Sequence, residues 1–196
     1  DGAKPISVTN TVKPKITGQG KVGATLKAST PTLSEMTKVA LQRLGSAPEG
    51  FFLMVEGGRV DHAGHGNDGA AAIHDQIAFD ETIATALAFI DKHPDTLLIV
   101  TTDHGTGGFN VNGLGNEDFI SLAPSYSETT PAFDRLTGFK MSLEVLKVET
   151  KGLSSKEFVA AAEKVTGLNF NADDRAKITS TKTLAAALMK YTSIGW

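Results

Sequence analysis

The sequence contains no cysteine, so disulfides and thiolate metal ligands are excluded. Its only tryptophan, Trp196, stands at the chain end with no readable role, and none of the five histidines lies beyond His104. No apolar run approaches the roughly 20 residues that span a bilayer. There is no basic stripe, and the formal net charge is −3, so nucleic-acid binding gains no support. No internal repeat and no low-complexity tract is present. The chain opens on Asp1 without an initiating Met or a leader, so missing targeting signals carry no weight. What is present suits a packed core: 196 residues, 40% hydrophobic, enough for one sizeable domain or one and a half small ones.

Chemistry concentrates in FFLMVEGGRVDHAGH, residues 51–65. Phe51 to Val55 is an apolar run that predicts a buried strand. Glu56 follows, then the Gly57-Gly58 break, then a loop carrying Asp61 and His65. A second run, Leu97 to Thr101, predicts another strand and leads into Asp103 and His104. In α/β proteins ligands gather at the carboxyl ends of strands. Carboxylate oxygens and imidazole nitrogens suit zinc or magnesium. Asp-His at a single strand end is more often a solvated turn than a ligand pair. Two such ends plus Glu56 shift the balance to a metal cluster.

Taken in order, residues 1–30 read as a lead-in segment with β-like pieces at Ile6 to Val8 and Val22 to Leu26. A helix then opens at Thr30-Pro31, with Thr30 as cap and an apolar stripe of Leu33, Met36, Val39, Ala40 and Leu44; Gly45 ends it. After His65, Asn67 or Asp68 caps a long helix to about Lys92, with Ile73, Ile77, Ala84 and Leu87 along one side and Pro94 as its stop. The alternation of helix and strand with short connections argues a parallel sheet flanked by helices. Gly105 to Gly115 reads as a loop and Glu117 to Thr130 as irregular. Helices are expected over Phe133 to Glu149, Ser154 to Val165, with Ser154 and Glu157 as a partial capping pair, and Thr181 to Tyr191. His74 reads as packing, His93 as a helix-end residue, and Asp80 and Glu81 as solvated. The glycines after His104 do not form a nucleotide-binding loop.

VEGGRVDHAGH before a long helix, then TTDHGTGG after the next strand, resembles the metal-site half of alkaline phosphatases. The resemblance covers residues 31–113 well and the rest more loosely. It implies an incomplete alkaline phosphatase-like α/β core over residues 31–113, with residues 114–196 as a helical insertion or subdomain. It implies two zinc ions and one magnesium: Glu56 on magnesium, Asp61 and His65 on the first zinc, Asp103 and His104 on the second. His62 would take a supporting role near phosphate. The activity implied is hydrolysis of phosphate monoesters through a serine nucleophile, in a periplasmic or secreted protein that forms a homodimer.

Two departures from that family bear on activity. No Asp-Ser-Ala segment supplies the serine, and Arg59 does not match the phosphate-gripping arginine. The first zinc also needs a histidine downstream, where this chain has none; YTSIGW resembles the stretch just before it. The expectation is an internal piece of an alkaline phosphatase, inactive alone, with an exposed sheet edge. Two alternatives stay open. One is a related metal-dependent phosphodiesterase, sulfatase or phosphosugar mutase; the other is a non-catalytic metal-binding or interaction module.

Overall fold

The computed structural model describes residues 6–9, 16–17, 21–22, 31–111 and 129–196. Helix α1 (Leu33–Leu44) begins where a reciprocal cap becomes available. Thr32 Oγ1 accepts the Glu35 amide at 3.1 Å, and the Glu35 carboxylate accepts the Thr32 amide at 2.7 Å. The expected cap, Thr30, is displaced because only Thr32 has a glutamate three residues on. The buried face is Leu33, Thr37 and Leu41 rather than the predicted stripe, and Val39 is 56% exposed. An i, i+4, i+8 row faces α3 (Gly69–Ile90), and a polar Thr occupies its middle.

Strand β1 (Ile6–Thr9) pairs in parallel with β4 (Leu53–Glu56), in register from Ile6 against Leu53 to Thr9 against Glu56. This pair is the only parallel ladder among the described residues. Two short antiparallel pairs complete the strands: β2 (Ile16–Thr17) with β3 (Lys21–Val22), and β5 (Asn110–Val111) with β6 (Ile194–Gly195). The strand expected over Leu97 to Thr101 does not form: no described residue hydrogen-bonds beside it as a ladder. Leu97 and Ile99 are 82% and 73% exposed. An apolar β-branched run encodes a preference for burial, but a strand exists only where a neighbour completes its hydrogen bonds. The described residues are therefore mostly helical, and the extended parallel sheet is reduced to one pair. Residues 23–26 and 112–128, where a β-like piece and an irregular stretch were expected, lie outside the described residues.

The segment expected to be a loop after Gly58 is helix α2 (Arg59–His65), and Asp68 then caps α3. Asp68 Oδ1 accepts the Ala71 amide at 3.0 Å, while Oδ2 accepts the Leu143 amide at 2.5 Å. One carboxylate thus starts α3 and grips the start of α5 (Leu143–Glu149). The buried part of α3 is its amino-terminal Gly69 to Ala72 together with Asp75 and Thr82; Ile77 and Leu87, expected on the inner side, are about half exposed.

The helix predicted over Phe133 to Glu149 is two pieces. Helix α4 (Thr129–Asp134) runs into a single 3-10 turn (Arg135–Gly138), and α5 restarts after Ser142, whose side chain accepts the Val145 amide. Then come α6 (Ser155–Thr166), α7 (Ala172–Lys177), which the periodicity did not predict, and α8 (Thr181–Thr192). Ser154 and Glu157 form a complete capping box. The tail's core, with Phe139, Leu146, Ala162, Ile178, Leu184 and Leu188 buried, is continuous with Ala63 of α2 and Ala70 to Ala72 of α3. Small residues permit this approach: a Cβ on Gly69 would lie 2.6 Å from Ile194 Cδ1.

Candidate metal centre

Strand β4 ends on Glu56, and Gly57-Gly58 turn the chain into α2. Because Asp61 and His65 are four residues apart on a helix, they share a face. His65 Nε2 lies 3.6 Å from Asp61 Oδ1. The extended stretch after Val100 brings in the second pair. His104 Nε2 is 3.3 Å from Asp103 Oδ2, and His104 Nδ1 is 3.9 Å from Asp61 Oδ1. Thr106 joins the two: its hydroxyl donates to Asp61 Oδ1 at 2.5 Å and lies 2.8 Å from His104 Nδ1. Gly64 makes this contact feasible, since a Cβ there would sit 2.8 Å from the Thr106 carbonyl oxygen.

Glu56, Asp61, Asp103 and His104 line one cavity of about 570 Å³. Its apolar lining includes Ile73, Phe79, Phe109 and Trp196. Trp196 packs on Phe109 with ring centroids 5.1 Å apart and closes over Gly107, whose positive φ of 77° and missing Cβ leave room for the indole. The terminal aromatic thus has a place that the sequence did not reveal. His65 and His62 are exposed and are not part of the cavity lining. His62 instead turns to Arg59, its Nδ1 lying 2.5 Å from a guanidinium nitrogen.

The Thr106 hydroxyl, against a smaller opposing effect of burial, holds the Asp61 carboxyl below the ordinary carboxylate range, with the neighbouring His65 and His104 imidazoles adding to the effect. The shift favours the ionised carboxylate, the form that binds a cation. Among the described residues no three His, Asp or Glu side chains converge as a formed metal cluster. The donors fit divalent cations pairwise. Two donors sharing a tetrahedral zinc at about 2.0–2.1 Å lie about 3.4 Å apart. The separations of 3.6 Å for Asp61–His65 and 3.3 Å for Asp103–His104 are of that size.

Behind α2 lies a polar cluster that the sequence did not announce. Arg59, only 6% exposed, donates to Glu144 of α5 at 2.5 Å as well as to His62. Asp75 of α3 is buried near the same guanidinium. Burial raises its carboxyl to about 7, with Arg59 opposing the rise and Asp68 and Glu144 reinforcing it. Burial likewise raises Asp68 to about 6 against its two backbone donors. Among the described residues Arg59 Nε and Asp75 Oδ2 find no hydrogen-bond partner, and both residues line a cavity of about 10 Å³, about the room one water needs. Of the other histidines, His74 is half-buried and its basicity is lowered by burial, while His93 stacks on Phe89 at 4.1 Å. Asp80 and Glu81 are exposed.

The family model described as alkaline phosphatase matches residues 16–188. The chain is 34% identical to alkaline phosphatase 4 of Bacillus subtilis over 148 residues, which is 71% of this chain and 32% of that protein. It is 42% identical to the tissue-nonspecific alkaline phosphatase of Rattus norvegicus over 103 residues, 50% of this chain and 19% of that protein. The crystal structure of a cold-active alkaline phosphatase from a psychrophilic Shewanella superposes with a TM-score of 0.64 at 27% identity, covering 87% of this chain and 42% of that one. The matches to the first two relatives span a third or less of their length.

Proposed function

The chain belongs to the alkaline phosphatase family, and from that premise we propose that it carries part of the metal centre of a phosphate monoester hydrolase. The carrying observation is the Asp61 carboxyl with His65 and His104 within 4 Å and with Glu56 and Asp103 lining the same cavity. Asp61 and His65 would hold one zinc, Asp103 and His104 a second, and Glu56 a magnesium. Such cations supply Lewis-acid stabilisation of charge on phosphoryl oxygens.

The chain's own residues do the positioning. The Thr106 hydroxyl fixes Asp61 Oδ1 and stands against His104, so one side chain keeps both donor pairs oriented. Outer-shell hydrogen bonds of this kind set ligand geometry and basicity. His62, on α2 between Asp61 and His65, presents an exposed imidazole as the proposed phosphate contact. The apolar lining by Phe79, Phe109 and Trp196 lowers the local dielectric of the cavity.

The serine nucleophile is assigned to a part of the protein outside these residues, since no Asp-Ser-Ala segment occurs here. The 196-residue chain alone is accordingly proposed to be inactive, and the whole protein to be a periplasmic or secreted homodimer. No described helix is long and apolar enough to cross a membrane. The test is hydrolysis of p-nitrophenyl phosphate at alkaline pH by the chain extended at both ends into its natural flanks. Activity lost on chelation and regained with zinc plus magnesium supports the proposal. A folded, metal-loaded extended chain without turnover would sink it and bring forward the related sulfatase, diesterase or mutase chemistries or a non-catalytic role.

A further inference from the structure

We infer that Arg59 is a positioning residue that holds the His62 imidazole in its Nε2–H form. A guanidinium only donates hydrogen bonds. At 2.5 Å from His62 Nδ1, Arg59 therefore requires that nitrogen to be the acceptor, and the ring proton lies on Nε2. Arg59 itself is not free to swing. Its other terminal nitrogen is bound to Glu144, 85 residues along the chain on α5, and its side chain is buried with the Asp75 carboxyl nearby. The fork shape of the guanidinium is what allows one side chain to hold both partners at once, which a lysine could not reproduce. Because His62 is exposed, its Nε2–H is left pointing away from the clamp as a donor for an oxyanion. The helical tail thereby orients a side chain on α2 through one arginine.

That this donor meets phosphate rests on the proposed function; the tautomer does not. The experiment is nitrogen-15 NMR of the unmodified full chain, reading the protonation of each His62 nitrogen and the N–N coupling across the Arg59–His62 hydrogen bond. The expected result is a proton on Nε2, an unprotonated Nδ1, and a resolved coupling to the Arg59 guanidinium. A proton on Nδ1, or absence of the coupling, overturns the inference without need of any variant. In Arg59→Gln, shown folded by circular dichroism, the coupling is lost and His62 becomes a mixture of tautomers; an unchanged His62 pattern overturns it equally. Titration with inorganic phosphate separates the two ideas. A chain that shows the clamp but no phosphate-dependent shift at Nε2 keeps the positioning role and loses the phosphate contact.

Discussion

Replacing Asp75 by asparagine should make the protein more stable at alkaline pH and less stable in acid, where only the cost of the buried amide remains. Asp75 is buried on α3, one of its oxygens has no partner among the described residues, and its carboxyl is raised from 3.8 to about 7. The groups facing it are Arg59 of α2, Asp68 at the start of α3 and Glu144 of α5; only the first favours its ionised form. For a carboxyl raised on folding, the native state binds more protons than the unfolded chain between the two values. Stability therefore falls as pH rises from about 4 to about 7 and levels above that. About three units at 1.36 kcal/mol each set a ceiling of about 4 kcal/mol for the loss. The asparagine of Asp75→Asn removes the charge but leaves a buried amide that costs about 1–3 kcal/mol where it is imperfectly paired. The net gain at about pH 8 is then roughly 1–3 kcal/mol. Urea unfolding of both proteins across this range measures it; the part of the Asp68 titration that is independent of Asp75 is common to both and cancels in the difference. A stability difference that does not vary with pH, or one that favours Asp75 increasingly as pH rises, would refute the reasoning.

Other perturbations test other parts of the molecule. Leu184→Ala, at a fully buried site on α8, should cost about 2–5 kcal/mol in denaturant unfolding. Ser154→Ala, which removes the α6 capping box, should cost about 1 kcal/mol in the same assay. Thr106→Val keeps the shape of the side chain and deletes the donor to Asp61, so the Asp61 carboxyl should titrate at higher pH than in the parent chain by carbon-detected NMR; an unmoved titration would show that the hydroxyl is not its main support. Asp61→Ala should remove a zinc-binding event from the isothermal titration of the chain, whereas Asp80→Ala, at an exposed carboxylate outside the cavity lining, should not.

What the sequence determined by itself was local. The strand into Glu56, the long helix after Asp68, the Ser154–Glu157 cap and the order of the Asp and His residues all follow from interactions spanning a few residues: a capping bond, a turn glycine, an apolar run. The same holds for the i, i+4 placement of Asp61 and His65, although the sequence read their segment as a loop. Capping chemistry also explains the corrections, since Thr32 rather than Thr30 has the glutamate in reach. The tertiary structure decided everything that needs a partner far along the chain. Which face of α1 is buried depended on α3, and Leu97 to Thr101 found no described neighbour to make it a strand. Thr106 reaches Asp61 across 45 residues, Arg59 reaches Glu144 across 85, and Trp196 closes over Phe109 and Gly107. Hydrophobic periodicity states how much surface a segment would bury, and side-chain chemistry states what it could bond. Neither carries the identity of the surface or atom that meets it, because that is fixed only when the elements pack.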